Sequence, residues 1–217
     1  MKKILVVILL TFLPVVAFSQ WSRWSIVGSV AAGISEVDNA YMTYYKDSKG
    51  KMGIDMALTA RYSVWRIYLS SGVGYQSFKS QSGYELTSST VKYNGVQPEF
   101  SYSNIYVPVT VGFNHYKWWK LYPVVEMGAT INFPVELKDR LEIGNEVTTR
   151  RGDSKGTVVS FVAQGGLGYS FNDRCSVEAK FRFSTSGSVS TYKDISGKDY
   201  NSTWQFIGGQ LSLVINL

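Results

Sequence analysis

Positions 176–183 read Ser-Val-Glu-Ala-Lys-Phe-Arg-Phe, and that order narrows the folds open to the chain. Ser176, Glu178, Lys180 and Arg182 alternate with Val177, Ala179, Phe181 and Phe183. Successive side chains of a strand point to opposite sides, so this segment has one charged face and one apolar face. The same two-faced pattern recurs along the chain. It predicts a closed barrel with apolar side chains turned out to lipid and polar ones turned in.

Eight such runs are expected, near 24–34, 52–62, 66–78, 100–114, 121–133, 157–171, 176–186 and 204–217. In the second, Ile54, Met56, Leu58, Ala60 and Tyr62 oppose Asp55, Thr59 and Arg61. In the fourth, Ile105, Val107, Val109, Val111 and Phe113 oppose Tyr102, Asn104, Thr110 and Asn114. The runs approach or exceed the roughly 9–11 residues that a tilted strand needs to cross a bilayer.

Connections alternate between short (63–65, 116–120, 172–174) and long (35–51, 79–99, 134–156, 187–203). The reading is therefore all-β: an eight-stranded antiparallel up-and-down transmembrane β-barrel with short periplasmic turns and long extracellular loops. Trp21, Trp24, Tyr62, Trp65, Phe113, Trp118, Trp119, Tyr169 and Phe171 fall near the inferred periplasmic ends, as an interfacial aromatic girdle would. Pro108 and Pro123 cannot donate to a ladder, so a bulge or irregular pairing is expected near each.

Charged residues make up 18% of the chain and aromatic residues 15%, and the net charge is +6. A mean hydropathy of -0.05 is far too polar for a helical membrane protein. A barrel hides its lipid-facing residues in this way, because each alternates with a polar neighbour. At the N-terminus, Lys2 and Lys3 precede an apolar stretch at 4–16 that is broken by Pro14, and Ala17-Phe18-Ser19 forms a small-x-small cleavage site. These features predict a cleaved signal peptide at 1–19, a barrel domain at 20–217 and an outer-membrane location. The apolar stretch is too short to serve comfortably as an anchor helix.

A soluble lipocalin-like barrel shares the alternation but lines its calyx with the apolar face. Repeated small residues on the polar face (Ser70, Gly72, Gly74, Gly128, Gly166, Gly168), aromatics at the ends of the apolar face and the two-sided loop lengths favour the membrane barrel. Asp55, Arg61, Glu126, Glu178, Lys180 and Arg182 would then meet in a narrow lumen packed with side chains. Buried charges must pair, so an internal ion-pair network is expected. It reads as a structural polar plug, with a gated ion path as the alternative.

Chemistry is sparsely supported. His115 is the sole histidine and falls on an expected turn, without placeable Ser, Asp or Glu partners. Cys175 is the sole cysteine, so neither an internal disulfide nor a typical zinc cluster is available. The expectation is a protein that is not an enzyme and carries no cofactor or metal; a lipid-modifying outer-membrane enzyme is the alternative. Arg151-Gly152-Asp153 in the third long loop matches an integrin-recognition tripeptide, although Gly-Asp is also ordinary turn composition. Basic loop residues such as Lys46, Lys49, Lys51, Arg140 and Arg150 could meet lipopolysaccharide phosphates, ordinary solvated loops being the simpler reading. Nucleic acid is not an expected partner, since no basic stripe lies on a recognisable binding module.

The stretch Asn104-Ile105-Tyr106-Val107-Pro108-Val109-Thr110-Val111-Gly112-Phe113, followed by Leu121-Tyr122-Pro123-Val124-Val125-Glu126-Met127-Gly128-Ala129, resembles the PorT-type outer-membrane β-barrel family of Bacteroidetes. The resemblance implies a small Gram-negative outer-membrane barrel, with a secretion complex or a surface protein as a partner. Its motif is architectural and carries no functional residues. The barrel-insertion machinery is the expected assembly partner, although the chain ends in Leu217 rather than the aromatic residue common in such barrels.

Overall fold

Alternation becomes a hydrogen-bonded cylinder in a computed structural model, which describes residues 22–39, 48–82, 99–114, 120–143, 146–151, 156–187, 190–193 and 199–217. Among these residues ten strands form: β1 (Ser22–Asn39), β2 (Ser48–Val64), β3 (Ile67–Ser82), β4 (Glu99–Asn114), β5 (Leu121–Ile143), β6 (Glu146–Arg151), β7 (Val158–Ser170), β8 (Cys175–Ser186), β9 (Ser190–Lys193) and β10 (Asp199–Asn216). Eight of them are staves in the order β1-β2-β3-β4-β5-β7-β8-β10, every pair antiparallel. Pairing of β1 with β10, from Ser25 opposite Asn216 to Asn39 opposite Ser202, closes the barrel. The short β6 and β9 fold back onto β5 and β10 beyond the main cylinder. Among the described residues there is no helix.

The burial pattern follows the pleat. Ile34, Met52, Leu58, Val73, Met127, Phe181 and Leu211 are each about half exposed or more, and they look outward. The six charged residues expected inside are at most 6% exposed. At the short-turn end the outward face carries aromatics. Trp24 packs on Tyr62 with ring centroids 4.9 Å apart, Tyr169 on Phe171 at 5.3 Å, and Trp65 and Phe113 are exposed nearby. Trp21, Trp118 and Trp119 lie outside the described residues.

Strands run further at the long-loop end than periodicity predicts. β1 continues to Asn39, β3 to Ser82, β5 to Ile143, and β10 begins at Asp199. Beyond an apolar belt both faces meet polar surroundings, so alternation fades while backbone pairing continues.

The prolines behave differently from one another. At Pro108 the β3–β4 ladder passes from Ser71 opposite Val109 to Gly74 opposite Tyr106, an interruption without a register shift. Pro123 lies opposite Leu167 in an unshifted β5–β7 ladder. The bulge in the β4–β5 ladder falls at Pro134 instead: Asn104 faces Pro134, Ser103 faces Glu136, and Val135 is the extra residue. Proline in a sheet gravitates to such positions because it has no N–H to donate.

Two of the short turns have identifiable local causes. Trp65 and Arg66 alone link β2 to β3, and Trp65 adopts a positive φ of 57°. Between β7 and β8, the Asn172 side-chain oxygen accepts from the backbone N–H groups of Arg174 (2.9 Å) and Cys175 (2.8 Å). This is the local bonding that makes Asn a turn residue.

Candidate functional site

The lumen is built in layers. At the long-loop end Phe78, Tyr102, Trp204 and Phe206 are buried together with Ala31 and Val158. The Phe78 ring centroid is 4.5 Å from that of Trp204 and 5.2 Å from that of Phe206. A polar layer follows, in which Asn104 donates to Asn132 Oδ1 (2.6 Å) and Asn132 donates to Ser160 Oγ (2.6 Å). Charged residues fill the middle. Tyr68, Tyr122 and Val124 form a second buried cluster nearer the short turns.

β2 brings Asp55 and Arg61 to the inner face, β5 brings Glu126, and β8 brings Glu178, Lys180 and Arg182 at successive inward positions. They divide into two groups. In one, Arg61 holds Glu178 in a fork, with Nη1 to Oε1 at 2.6 Å and Nη2 to Oε2 at 3.0 Å. Lys180 Nζ lies 3.1 Å from Glu178 Oε2 and 3.4 Å from Glu126 Oε2. Glu126 also accepts from Thr110 Oγ1 and from Tyr68 OH (3.0 Å). The Arg61 guanidinium sits 4.1 Å from the Tyr68 ring centroid, a cation–π distance.

In the other group Arg182 Nη2 is 2.9 Å from Asp55 Oδ2. Asp55 accepts from Gln76 Nε2 (2.6 Å) and Tyr106 OH (2.7 Å). Arg182 Nη1 donates to Gln210 Oε1 at 3.1 Å. The lumen thus sets three cations against three carboxylates. A buried ion that loses its only partner costs several kcal/mol, about 3–5 in measured cases, so each of the six depends on the others. The central space left among these side chains measures about 30 Å³. The arrangement can neutralise and immobilise charge, and among the described residues its side chains fill the middle of the lumen.

Tyrosines contribute what alternation alone did not reveal. Tyr68 covers Gly112, Tyr106 covers Gly74 and Tyr122 covers Gly168, each pair directly opposite on neighbouring strands. A Cβ on any of these glycines would strike the tyrosine ring. Each ring therefore lies flat over a missing side chain and delivers its hydroxyl inward: to Glu126, to Asp55 and, for Tyr122, to Ser176 Oγ at 3.0 Å. Tyr68 and Tyr106 share the parity of Ser70 and Asn104, which was the available signal; their glycine partners become evident only once register is known.

Arg151 ends β6 opposite Lys138, with its side chain outside the described residues, as are Gly152 and Asp153. His115 and the 1–19 segment also lie outside them. Cys175 is partly exposed at the start of β8.

No protein-family model matches the chain, and no curated protein matches it by sequence. Among solved structures, Neisserial surface protein A aligns at 12% identity over 87% of this chain and 95% of that one, with a TM-score of 0.47. A major outer membrane protein from Thermus thermophilus aligns at 12% identity over 90% and 99%, with a TM-score of 0.43. The outer membrane protein OprG from Pseudomonas aeruginosa aligns at 9% identity over 88% and 95%, with a TM-score of 0.39.

Proposed function

We propose that this chain is a small outer-membrane β-barrel with a side-chain-filled lumen and a structural or surface-interaction role carried by its long loops. One observation bears most of the weight: a closed cylinder whose outer wall is a belt of exposed Ile, Leu, Val, Met and Phe, with its ionic groups shut inside. Soluble monomers rarely expose contiguous apolar patches beyond a few hundred Å², whereas hydrocarbon requires such a belt. The aromatic collar at the short-turn end fits a membrane–water boundary. A ligand-binding calyx is disfavoured by the packed interior.

In this reading 1–19 is a removed export signal, the short turns face the periplasm, and lipid and lipopolysaccharide surround the barrel. The insertion machinery assembles it. Membership of the PorT-type group rests on the central hairpin of β4 and β5 alone, and a link to protein secretion follows only from that. The role is not enzymatic: replacing His115 with Ala is expected to leave lipid A composition unchanged. The direct test is gel migration with and without boiling, combined with fractionation. A folded barrel in the outer-membrane fraction that shifts on boiling supports the reading. Recovery in the soluble fraction without detergent defeats it.

A further inference from the structure

The centre of the lumen contains hydrogen-bonding capacity that the ion pairs leave over. Arg61 uses Nη1 and Nη2 on Glu178, but its Nε has no protein partner. Arg182 donates Nη1 to Gln210; its Nη2 lies 2.9 Å from Asp55 Oδ2 as an ion pair but makes no hydrogen bond, and its Nε is likewise unpartnered. Gln164 Oε1, on β7, is a buried acceptor without a donor. The three side chains are at least nine-tenths buried, and all three line the same central space of about 30 Å³. Unpaired donors and acceptors in a low-dielectric interior are costly, and native proteins resolve them with protein groups or ordered water.

We propose that this space is a binding site for one or two permanently bound water molecules, which link Arg61, Arg182 and Gln164 across the barrel. Size admits them, since a water needs about 10–15 Å³ of such space and two to four polar partners. Charge selects water over a small anion. The lining contains Arg61, Lys180 and Arg182 but only Glu126 as a carboxylate, which alone would invite chloride. Glu178 and Asp55, however, lie directly behind the two arginines at 2.6 and 2.9 Å and cancel their charge. An added halide would be an unbalanced ion in a dry interior, whereas a neutral molecule that both donates and accepts meets the Nε groups of Arg61 and Arg182, the Nη2 of Arg182 and one carbonyl oxygen. The site goes beyond the membrane reading and does not depend on it.

The test is NMR of the purified barrel with labelled arginine side chains, detecting dipolar transfer from water to the Nε–H groups; the opposite sign in the rotating frame separates dipolar transfer from proton exchange. Dipolar cross-peaks at two buried Nε–H groups, unmoved when chloride is replaced by nitrate, are expected. Absence of those cross-peaks, or resonances that shift with the anion, overturns the proposal. In Gln164→Met, which keeps the side-chain length and removes the acceptor, loss of at least one cross-peak is expected. Retention of both at full intensity overturns the assignment of Gln164. The wild-type measurement stands by itself if that variant does not fold.

Discussion

Glu178 lies between two cations, Arg61 and Lys180, and it is fully buried. Replacing it with Ala strands the Arg61 guanidinium and leaves Lys180 with Glu126 alone, so a loss of about 3–5 kcal/mol is expected in denaturant unfolding of the detergent-solubilised barrel. Replacing Arg61 and Glu178 together with Met and Leu should recover most of that loss, because an apolar pair of similar volume leaves less charge exposed to a poor solvent. Tyr122 and Gly168 offer a cleaner pair. Gly168→Val forces a side chain into the Tyr122 ring and should cost about 1–3 kcal/mol. In a Tyr122→Ala background the same change should cost far less, and a double-mutant cycle measures the difference. Trp65 tests backbone strain. At φ 57° a side chain is disfavoured by roughly 1–2 kcal/mol, so Trp65→Gly should exceed Trp65→Ala in stability by about 1 kcal/mol, the reverse of the usual order in strands. Equal stabilities would remove the strain argument. At this scale the sequence was informative about charge: alternation alone put Asp55, Arg61, Glu126, Glu178, Lys180 and Arg182 on inner faces. Which cation meets which carboxylate was not legible, because partners such as Arg61 and Glu178 sit 117 positions apart, and Asp55 and Arg182 further still, and depend on register.

Elements were legible where a belt enforces two-faced patterning and illegible where it stops. β7 and β8 lie within a few residues of the runs expected for them, since their whole length crosses the apolar zone. β5 overruns its expected end at 133 by ten residues, and β6 and β9 had no periodic signal to announce them. Backbone pairing there is independent of which side chains are apolar. Hydrogen exchange by mass spectrometry should find protected amides in 136–143 of β5, where pairing with β4 and β6 continues; exchange within seconds across that stretch would show that the strand ends at the belt. The proline expectation was right in kind at Pro108, found no distortion at Pro123 and overlooked Pro134. A proline's effect depends on whether its missing donor faces a neighbour or a gap in the ladder, and only register decides that.

For the molecule as a whole, an aromatic cap, a balanced ionic middle and a tyrosine layer stand in series along one axis. Three successive obstructions predict no steady conductance in planar bilayers, and large stable current steps would refute a filled lumen. The cylinder itself is closed by a ladder that joins Ser25 to Asn216, residues 191 positions apart, whereas neighbouring staves elsewhere meet across local turns and loops. Zippering from hairpins can therefore build a curved ribbon but cannot finish it. Until the first stave finds the last, two long rows of amide and carbonyl groups stand unsatisfied at the rims of that ribbon, where stray strands can add. The seam between β1 and β10 is thus the pairing of greatest sequence separation in the sheet, and without it both rims would offer an open edge to another strand.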